Sequence, residues 1–403
     1  MSTVRSTDRS TFDPERLTRI DKHFSRYVDD GRLAGWQLAL TDPDQTLHES
    51  TYGWHDREAG VPVRSDTLWR IASMTKPITS VAAMTLWEEG AFELSDPISK
   101  WLPSFADVQV YVKGADRTLV TAPSPEPIRV WHLLSHTSGL TAGFMRGTVV
   151  SELYREAGYE FAAPPHPSIT ECVEDWSRLP LLFEPGTAWG YGVSTDVLGR
   201  LVEIWSGQTL DLAVANRVLA PLGMDDTVWW CDEPRHERLP ALYYADESGA
   251  AVRSPYGDVV KQQPAILSGG GGLLSTMSDY LRFCRMMLND GQLDGTRVLS
   301  PRTVKLMRSN HLEGDLGTLS TGGFAETTFA GVGFGLGFAV LVDPLKAHSP
   351  ANAGEYYWGG MASTAFWIDP VDEVACVFMT QLMPSSTHPI RSQLRQLVHS
   401  ARI

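Results

Sequence analysis

Ser73, Met74, Thr75 and Lys76 place a hydroxyl and an amine three positions apart, so on a helix the two share one face within a turn. That pairing suits nucleophilic acyl chemistry. A serine hydroxyl is a weak nucleophile at neutral pH, and a partly buried lysine can shed its charge and help take the serine proton. The residues that follow predict a helix over 77–89: Ile78, Ala82, Met84 and Leu86 are apolar, Gly90 supplies a stop, and Pro77 falls in or just past the first turn, where a missing N–H costs little. Ser73 is therefore expected at a helix N-terminus, where free N–H groups and the macrodipole favour developing negative charge. Alone, such a tetrad also fits a capped, solvated helix start; other elements decide against that.

Tyr191 is the second element, in Glu184-Pro185-Gly186-Thr187-Ala188-Trp189-Gly190-Tyr191-Gly192-Val193-Ser194. A tyrosine beside a lysine can be held partly as phenolate, acting as general base on the serine and then as acid toward the leaving group. The proline and glycines predict a loop that presents Tyr191 ahead of a helix starting near Ser194; a packing aromatic is the ordinary alternative. Trp358-Gly359-Gly360-Met361 is the third element. Acyl transfer needs two N–H donors aimed at the developing oxyanion. The backbone N–H groups of Ser73 and of Met361, the latter expected on an edge strand, are the candidates, and the glycines allow a substrate close to the backbone. A plain hairpin turn is the alternative there.

With these residues together, the chain resembles the serine β-lactamase/penicillin-binding-protein superfamily, and most closely its class C β-lactamase-like esterases, the family VIII carboxylesterases. Trp131-His132-Leu133-Leu134-Ser135-His136-Thr137-Ser138-Gly139-Leu140, Pro221 to Thr227, and the Gly269–Gly272 run before Leu273-Leu274-Ser275 add to the resemblance, which spans about residues 15–400. Two departures carry meaning. Class C β-lactamases and DD-peptidases have Tyr-x-Asn, and here Val193 stands at the Asn position; they have Lys-Thr-Gly where this chain has Trp358-Gly359-Gly360. The missing lysine removes a cation suited to a β-lactam or peptide carboxylate, whereas Trp358 offers an apolar wall. The esterases of the family match the chain on both points.

The resemblance implies Ser73 as nucleophile, Lys76 as the group lowering its proton affinity, Tyr191 as base and acid, and an oxyanion hole from Ser73 and Met361. Trp358, Gly359 and Gly360 are expected to bind substrate, and by resemblance Trp189 as well. No cofactor is required. His132 and His136 are spaced for zinc, but there is no His-Glu-x-x-His and no third ligand, so no metal is expected. The glycine run lacks the Gly-Lys-Ser/Thr of a phosphate loop, and no Gly-x-Ser-x-Gly elbow occurs. The expected reaction is ester hydrolysis through an acyl-enzyme on Ser73. Acyl transfer to an alcohol or amine, a β-lactamase or DD-peptidase-like amidase reaction, and a non-catalytic scaffold are the alternatives.

The elements that must position these groups form an α+β pattern. Leu17, Ile20, Phe24 and Tyr27 predict a helix over 12–30; strands are expected over 35–40, 49–54, 333–340, 362–369 and 374–381, and a helix over 388–400. From Ser73 to about Cys284 the pattern is mainly helical, with loops at 121–127 and 162–168. The economical architecture is an antiparallel sheet built from both termini (15–72 with 290–403), flanked by the terminal helices, with a helical domain (73–289) inserted after a flexible tail (1–14). A net charge of −14 over 403 residues argues against nucleic acid or an anionic membrane as partner. Neither a signal segment nor an apolar run of spanning length occurs, and four scattered cysteines suit a reducing compartment. A cytoplasmic enzyme acting on a small-molecule ester is expected, with its oligomeric state left open.

Overall fold

The computed structural model describes residues 12–160, 168–321 and 329–403. Most of the expected N-terminal tail (1–11) and of the proline-rich loop 162–168 (161–167) lies outside the described residues.

Eight strands form one sheet: β1 (Gly35–Thr41), β2 (Thr46–Asp56), β3 (Val61–Pro62), β4 (Val332–Phe334), β5 (Ala339–Leu341), β6 (Tyr356–Gly359), β7 (Ala365–Asp369) and β8 (Val374–Thr380). Their order is β4-β5-β6-β7-β8-β1-β2-β3, every neighbouring pair antiparallel, so β1 from one end of the chain pairs with β8 from the other. The central strands are buried on both faces, and their alternation sorts two cores. Trp36, Leu38, Leu40, Trp367, Cys376 and Phe378 face a cluster with Phe24 of helix α1 (Pro14–Asp29) and Leu394 of a C-terminal helix (Ile390–Ser400). Ala39, Phe366, Ile368, Ala375, Val377 and Met379 face the larger core, which includes helix α2 (Thr75–Glu88). Phe24 and Trp36 lie 4.8 and 6.0 Å from the Phe378 ring, contacts worth about 0.5–1.5 kcal/mol each beyond area burial.

The expected strand over 333–340 is instead two strands with a reversal at 335–338. Gly337 has φ +100°, and a Cβ on Gly335 would lie 2.1 Å from the Met307 carbonyl oxygen, so the glycines that looked like strand residues make the turn. The middle of the chain is less uniformly helical than its pattern suggests. It contains a hairpin (Gln109–Lys113 with Val120–Pro123), and Tyr243–Ala245 pairs with both Ala251–Arg253 and Leu382–Met383. Tyr243 and Ala251 join the core under the terminal helices. Among the described residues, no helix is long and apolar enough to cross a membrane.

Candidate active site

α2 is buried along its whole length from Thr75 to Leu86, the state of a helix with no solvent face. Ahead of it, Trp69–Arg70 pairs antiparallel with Leu274–Ser275, and the Gln381 side chain accepts from Arg70 N (3.4 Å) and donates to Arg70 O (3.1 Å). The chain then turns through Ala72, whose φ of +44° is in the left-handed region, into a short 3₁₀ turn (Ala72–Met74) that carries Ser73. A non-glycine residue there is strained. The surroundings hold it, because Ile71 N donates to Leu273 O (3.2 Å) and Met74 N to Ile71 O (3.0 Å).

Ser73 Oγ receives two hydrogen bonds, from Tyr191 OH at 2.7 Å and from Lys76 Nζ at 3.2 Å. Lys76 Nζ lies 4.5 Å from the Tyr191 ring centroid and donates to the Gly270 carbonyl at 2.6 Å. Tyr191 is presented by a loop fixed at its ends: Gly190 N donates to His136 O (2.9 Å), and Val193 N to Thr141 O (3.3 Å) just before helix α3 (Ser194–Ser206). A Cβ on Gly192 would meet the Thr141 backbone at 2.5 Å, so only glycine lets the two segments approach. His136 lies 5.1 Å from the Tyr191 ring; burial, and secondarily the charge of Lys76, hold its pKa well below the ordinary value, so it is a neutral ring at neutral pH.

Sequence reasoning missed the support of Lys76. Thr79 Oγ1 donates to Gly269 O (2.8 Å), and Thr75 Oγ1 accepts from Leu273 N (3.1 Å), so the glycine run lies along the first turns of α2. Asp196, in the first turn of α3, accepts from Ser268 Oγ (2.6 Å) and from Gly270 N (3.1 Å). The glycine run was the one trace of this in the sequence, and the structure gives its reason: Cβ atoms on Gly269, Gly270 and Gly272 would meet Thr195 O, the Asp196 carboxylate and the Trp229 ring at 2.6–2.8 Å.

Met361 does not lie on an edge strand. β6 sits between β5 and β7, and Met361 occupies the tight turn from Gly360 to Thr364 that joins β6 to β7, closed by Gly360 N to Thr364 O at 2.9 Å. That turn packs on the strand leading to Ser73: a Cβ on Gly360 would be 2.5 Å from Ile71 O. Among the described residues, neither Ser73 N nor Met361 N has a hydrogen-bond partner. The free space beside Gly359 and Gly360 is filled by protein, by the Arg391 guanidinium in one case and by Ile71 and Thr364 in the other.

The two tryptophans are more buried than pocket walls would be. Trp358, 8% exposed, lies 5.6 Å from the Tyr191 ring; Trp189, 0% exposed, stacks behind Tyr191 at 6.2 Å. Among the described residues, Phe144, 6.2 Å from Tyr191, and Met361 are apolar side chains with accessible surface. His132 and His136 do not share a helical face, because that helix ends at Leu134 and His136 has φ +57°. Among the described residues, one cluster has metal-ligand character: Glu355, Asp369 and His399. Its carboxylates are already engaged, Glu355 by Arg395 and His399, and Asp369 by Asn352 and two backbone N–H groups.

The chain is 36% identical to Protein Rv1367c of Mycobacterium tuberculosis over 88% of both chains, and 30% identical to Esterase EstB of Burkholderia gladioli over 99% of this chain and 100% of that one. Among solved structures, EstCE1, described as a hydrolase with promiscuous acyltransferase activity, superposes with a TM-score of 0.80 at 26% identity, covering 95% of this chain and 98% of its own. The Beta-lactamase family matches residues 20–400, and the chain belongs to that family.

Proposed function

We propose that the protein is a serine carboxylesterase that works through an acyl-enzyme on Ser73. The observation that carries the reading is the convergence of the Tyr191 hydroxyl and the Lys76 ammonium on Ser73 Oγ from different elements. In the reacting form Tyr191 is a phenolate whose charge the Lys76 ammonium offsets, and Ser73 Oγ attacks the ester carbonyl as that phenolate takes the serine proton. The tetrahedral oxyanion is stabilised by the Ser73 and Met361 N–H groups. When it collapses, the C–O bond to the alcohol breaks, Tyr191 returns the proton to the departing oxygen, and the acyl group stays on Ser73. Water, deprotonated by Tyr191, then releases the acid and restores Ser73. Every step uses side chains and backbone alone.

The esterase named among the relatives supports this chemistry, and so does the apolar Trp358 in place of a lysine. EstCE1 supports a second outcome of the same intermediate, transfer of the acyl group to an alcohol in place of water. On this reading a small ester binds between the turn that bears Met361 and the segment that bears Ser73, Lys76 and Tyr191. The four cysteines are buried, free thiols, which suits the cytoplasm.

The test is a p-nitrophenyl ester series from C2 to C12, run with nitrocefin on wild type and Ser73→Ala. Ester cleavage that disappears in the variant, with little nitrocefin turnover, is expected. Ester cleavage retained by Ser73→Ala, or fast nitrocefin turnover with poor ester cleavage, refutes the reading.

A further inference from the structure

Arg391 stands in the first turn of the C-terminal helix and reaches back under the β6–β7 turn. Its Nη2 donates to the Gly360 carbonyl at 2.9 Å and to the Thr364 carbonyl at 3.3 Å. The guanidinium lies directly against Gly359, where a Cβ would come within 2.5 Å of Cζ and Nη2, so the glycine is the space the arginine occupies. The Gly360 carbonyl and the Met361 N–H belong to one peptide unit. One end of that unit is held by a cation, and Ser363 N adds a second bond to the same oxygen at 3.1 Å. The other end has no hydrogen-bond partner among the described residues. The unit is also pressed onto the Ser73 turn, through Gly360 against Ile71 O and through Thr364 Oγ1 to Ile71 O at 3.4 Å.

We propose that Arg391 is the positioning residue of the oxyanion hole: by hydrogen-bonding the Gly360 carbonyl it fixes the plane of the Gly360–Met361 peptide and strengthens the Met361 N–H as a donor. The inference rests on the assignment of that N–H under the proposed function. Its physical basis is amide polarisation. A charge-assisted bond to the oxygen draws electron density along the O–C–N system and leaves the N–H more positive, and hydrogen bonds in such chains reinforce each other by about 10–30%. Orientation matters equally, because a donor held in place beforehand needs no reorganisation when the oxyanion forms. Arg391 itself touches neither the ester nor Ser73.

Arg391→Ala and Arg391→Lys, with Gly359→Ala as a variant that keeps the charge but displaces the guanidinium, test this. The readouts are kcat and KM for p-nitrophenyl butyrate, and the Ki of an alkylboronic acid, whose tetrahedral adduct on Ser73 puts an oxygen in the hole. Removing a whole oxyanion donor costs about 10²–10³ in kcat, so weakening one is expected to lower kcat by about 10-fold to 100-fold in Arg391→Ala. KM stays within about twofold, the boronate Ki rises by a similar factor to the loss in kcat, and Arg391→Lys recovers part of both, because an ammonium keeps a charge-assisted donor. Unchanged kcat overturns the proposal. So does a raised KM at unchanged kcat, which would make the guanidinium a substrate contact, and so does a fall in kcat with unchanged boronate affinity, which would mark a purely structural role. Should Arg391→Ala fail to fold, Arg391→Lys and Gly359→Ala give the same readouts. Fluorophosphonate labelling of Ser73 in the wild type separates the two layers: no labelling and no ester turnover would overturn the reading of the site itself.

Discussion

Lys76 Nζ is closer to the Gly270 carbonyl oxygen, at 2.6 Å, than to Ser73 Oγ, at 3.2 Å. The amine is thus anchored first to a backbone loop and offered second to the nucleophile. The loop is held in turn by Asp196, which binds Gly270 N and Ser268 Oγ through one carboxylate oxygen. A chain of three contacts therefore fixes the lysine: α3 to the loop, the loop to the amine, and the amine to the serine.

Asp196 should consequently matter to turnover while lying outside the reacting groups. Asp196→Ala removes both acceptor contacts and is expected to lower kcat by about 10-fold to 100-fold, in line with the penalty for misplaced catalytic groups. Asp196→Asn keeps an acceptor oxygen and is expected to stay within about fivefold of wild type on the same basis. Steady-state ester hydrolysis measures both; equal losses in the two variants would mean that charge, not geometry, is what the loop supplies.

The glycine run gives a paired test of the same support. At Gly270 a Cβ would lie 2.6 Å from Asp196 Oδ2, so Gly270→Ala must push apart the contact that holds the loop. At Gly271 the nearest atom is 3.9 Å away, ordinary van der Waals distance. Gly270→Ala is expected to lose about tenfold or more in kcat/KM, while Gly271→Ala stays near wild type. Circular dichroism melts on both variants show whether the Gly270 loss is local or global.

Tyr191→Phe removes only the hydroxyl that donates to Ser73 Oγ and leaves the ring between Trp358 and Trp189. A loss of about 10²–10⁴-fold in kcat is expected, the usual contribution of a positioned acid–base group. Wild-type rates in this variant would remove Tyr191 from proton transfer and leave Lys76 alone to do it.

How far the site could be read from sequence follows from where each constraint lies. Ser73 and Lys76 are local: three residues apart across the 3₁₀ turn and the first turn of α2, their proximity is a property of helical geometry. The central strands β1, β7 and β8 were legible too, because strands buried on both faces read as short, nearly continuous apolar runs. The Gly333–Val340 run was misread because its glycines look like strand spacing until the Met307 carbonyl and the φ of Gly337 are known. Asp196 and Arg391 were invisible, because their roles rest on contacts 74 and 31 residues away in sequence and neither type in isolation suggests chemistry. Ala72 offered no signal, because alanine is seldom found in the left-handed region.

Part of the acid sensitivity should come from the histidine segment. Burial pushes His132 down to about 4, with the nearby Arg129 charge adding to it, and its Nδ1 accepts the Arg129 N–H at 3.0 Å. The unfolded chain binds a proton at this imidazole below about pH 6.5, and the native state does not until about 4. The native form is therefore favoured above pH 6.5, and this share of stability is lost as pH falls from 6.5 toward 4. The loss amounts to about 3 kcal/mol at pH 4, and His136, shifted the same way, adds to it. Urea titrations at pH 7 and pH 4 should show His132→Gln losing about 3 kcal/mol less than wild type over that interval; an identical pH dependence in the two proteins would refute the assignment.

Substrate size should be set by Phe144 rather than by Trp189. Trp189 has no exposed surface and lies behind Tyr191, so truncating it opens a cavity in the core; Trp189→Ala is expected to destabilise by about 3–5 kcal/mol. Phe144 is 42% exposed, and its ring meets Tyr191 edge-on, which leaves an apolar face open beside the nucleophile. An acyl chain long enough to reach that face gains about 0.8 kcal/mol for each methylene it buries there. Acetyl esters are too short to gain from it. Phe144→Ala is therefore expected to leave C2 hydrolysis within about twofold and to lower kcat/KM for C6–C8 esters by about tenfold, the worth of one to two buried methylenes. A chain-length profile shifted by Trp189→Ala in a protein of unchanged melting temperature, with Phe144→Ala silent, would reverse the two roles.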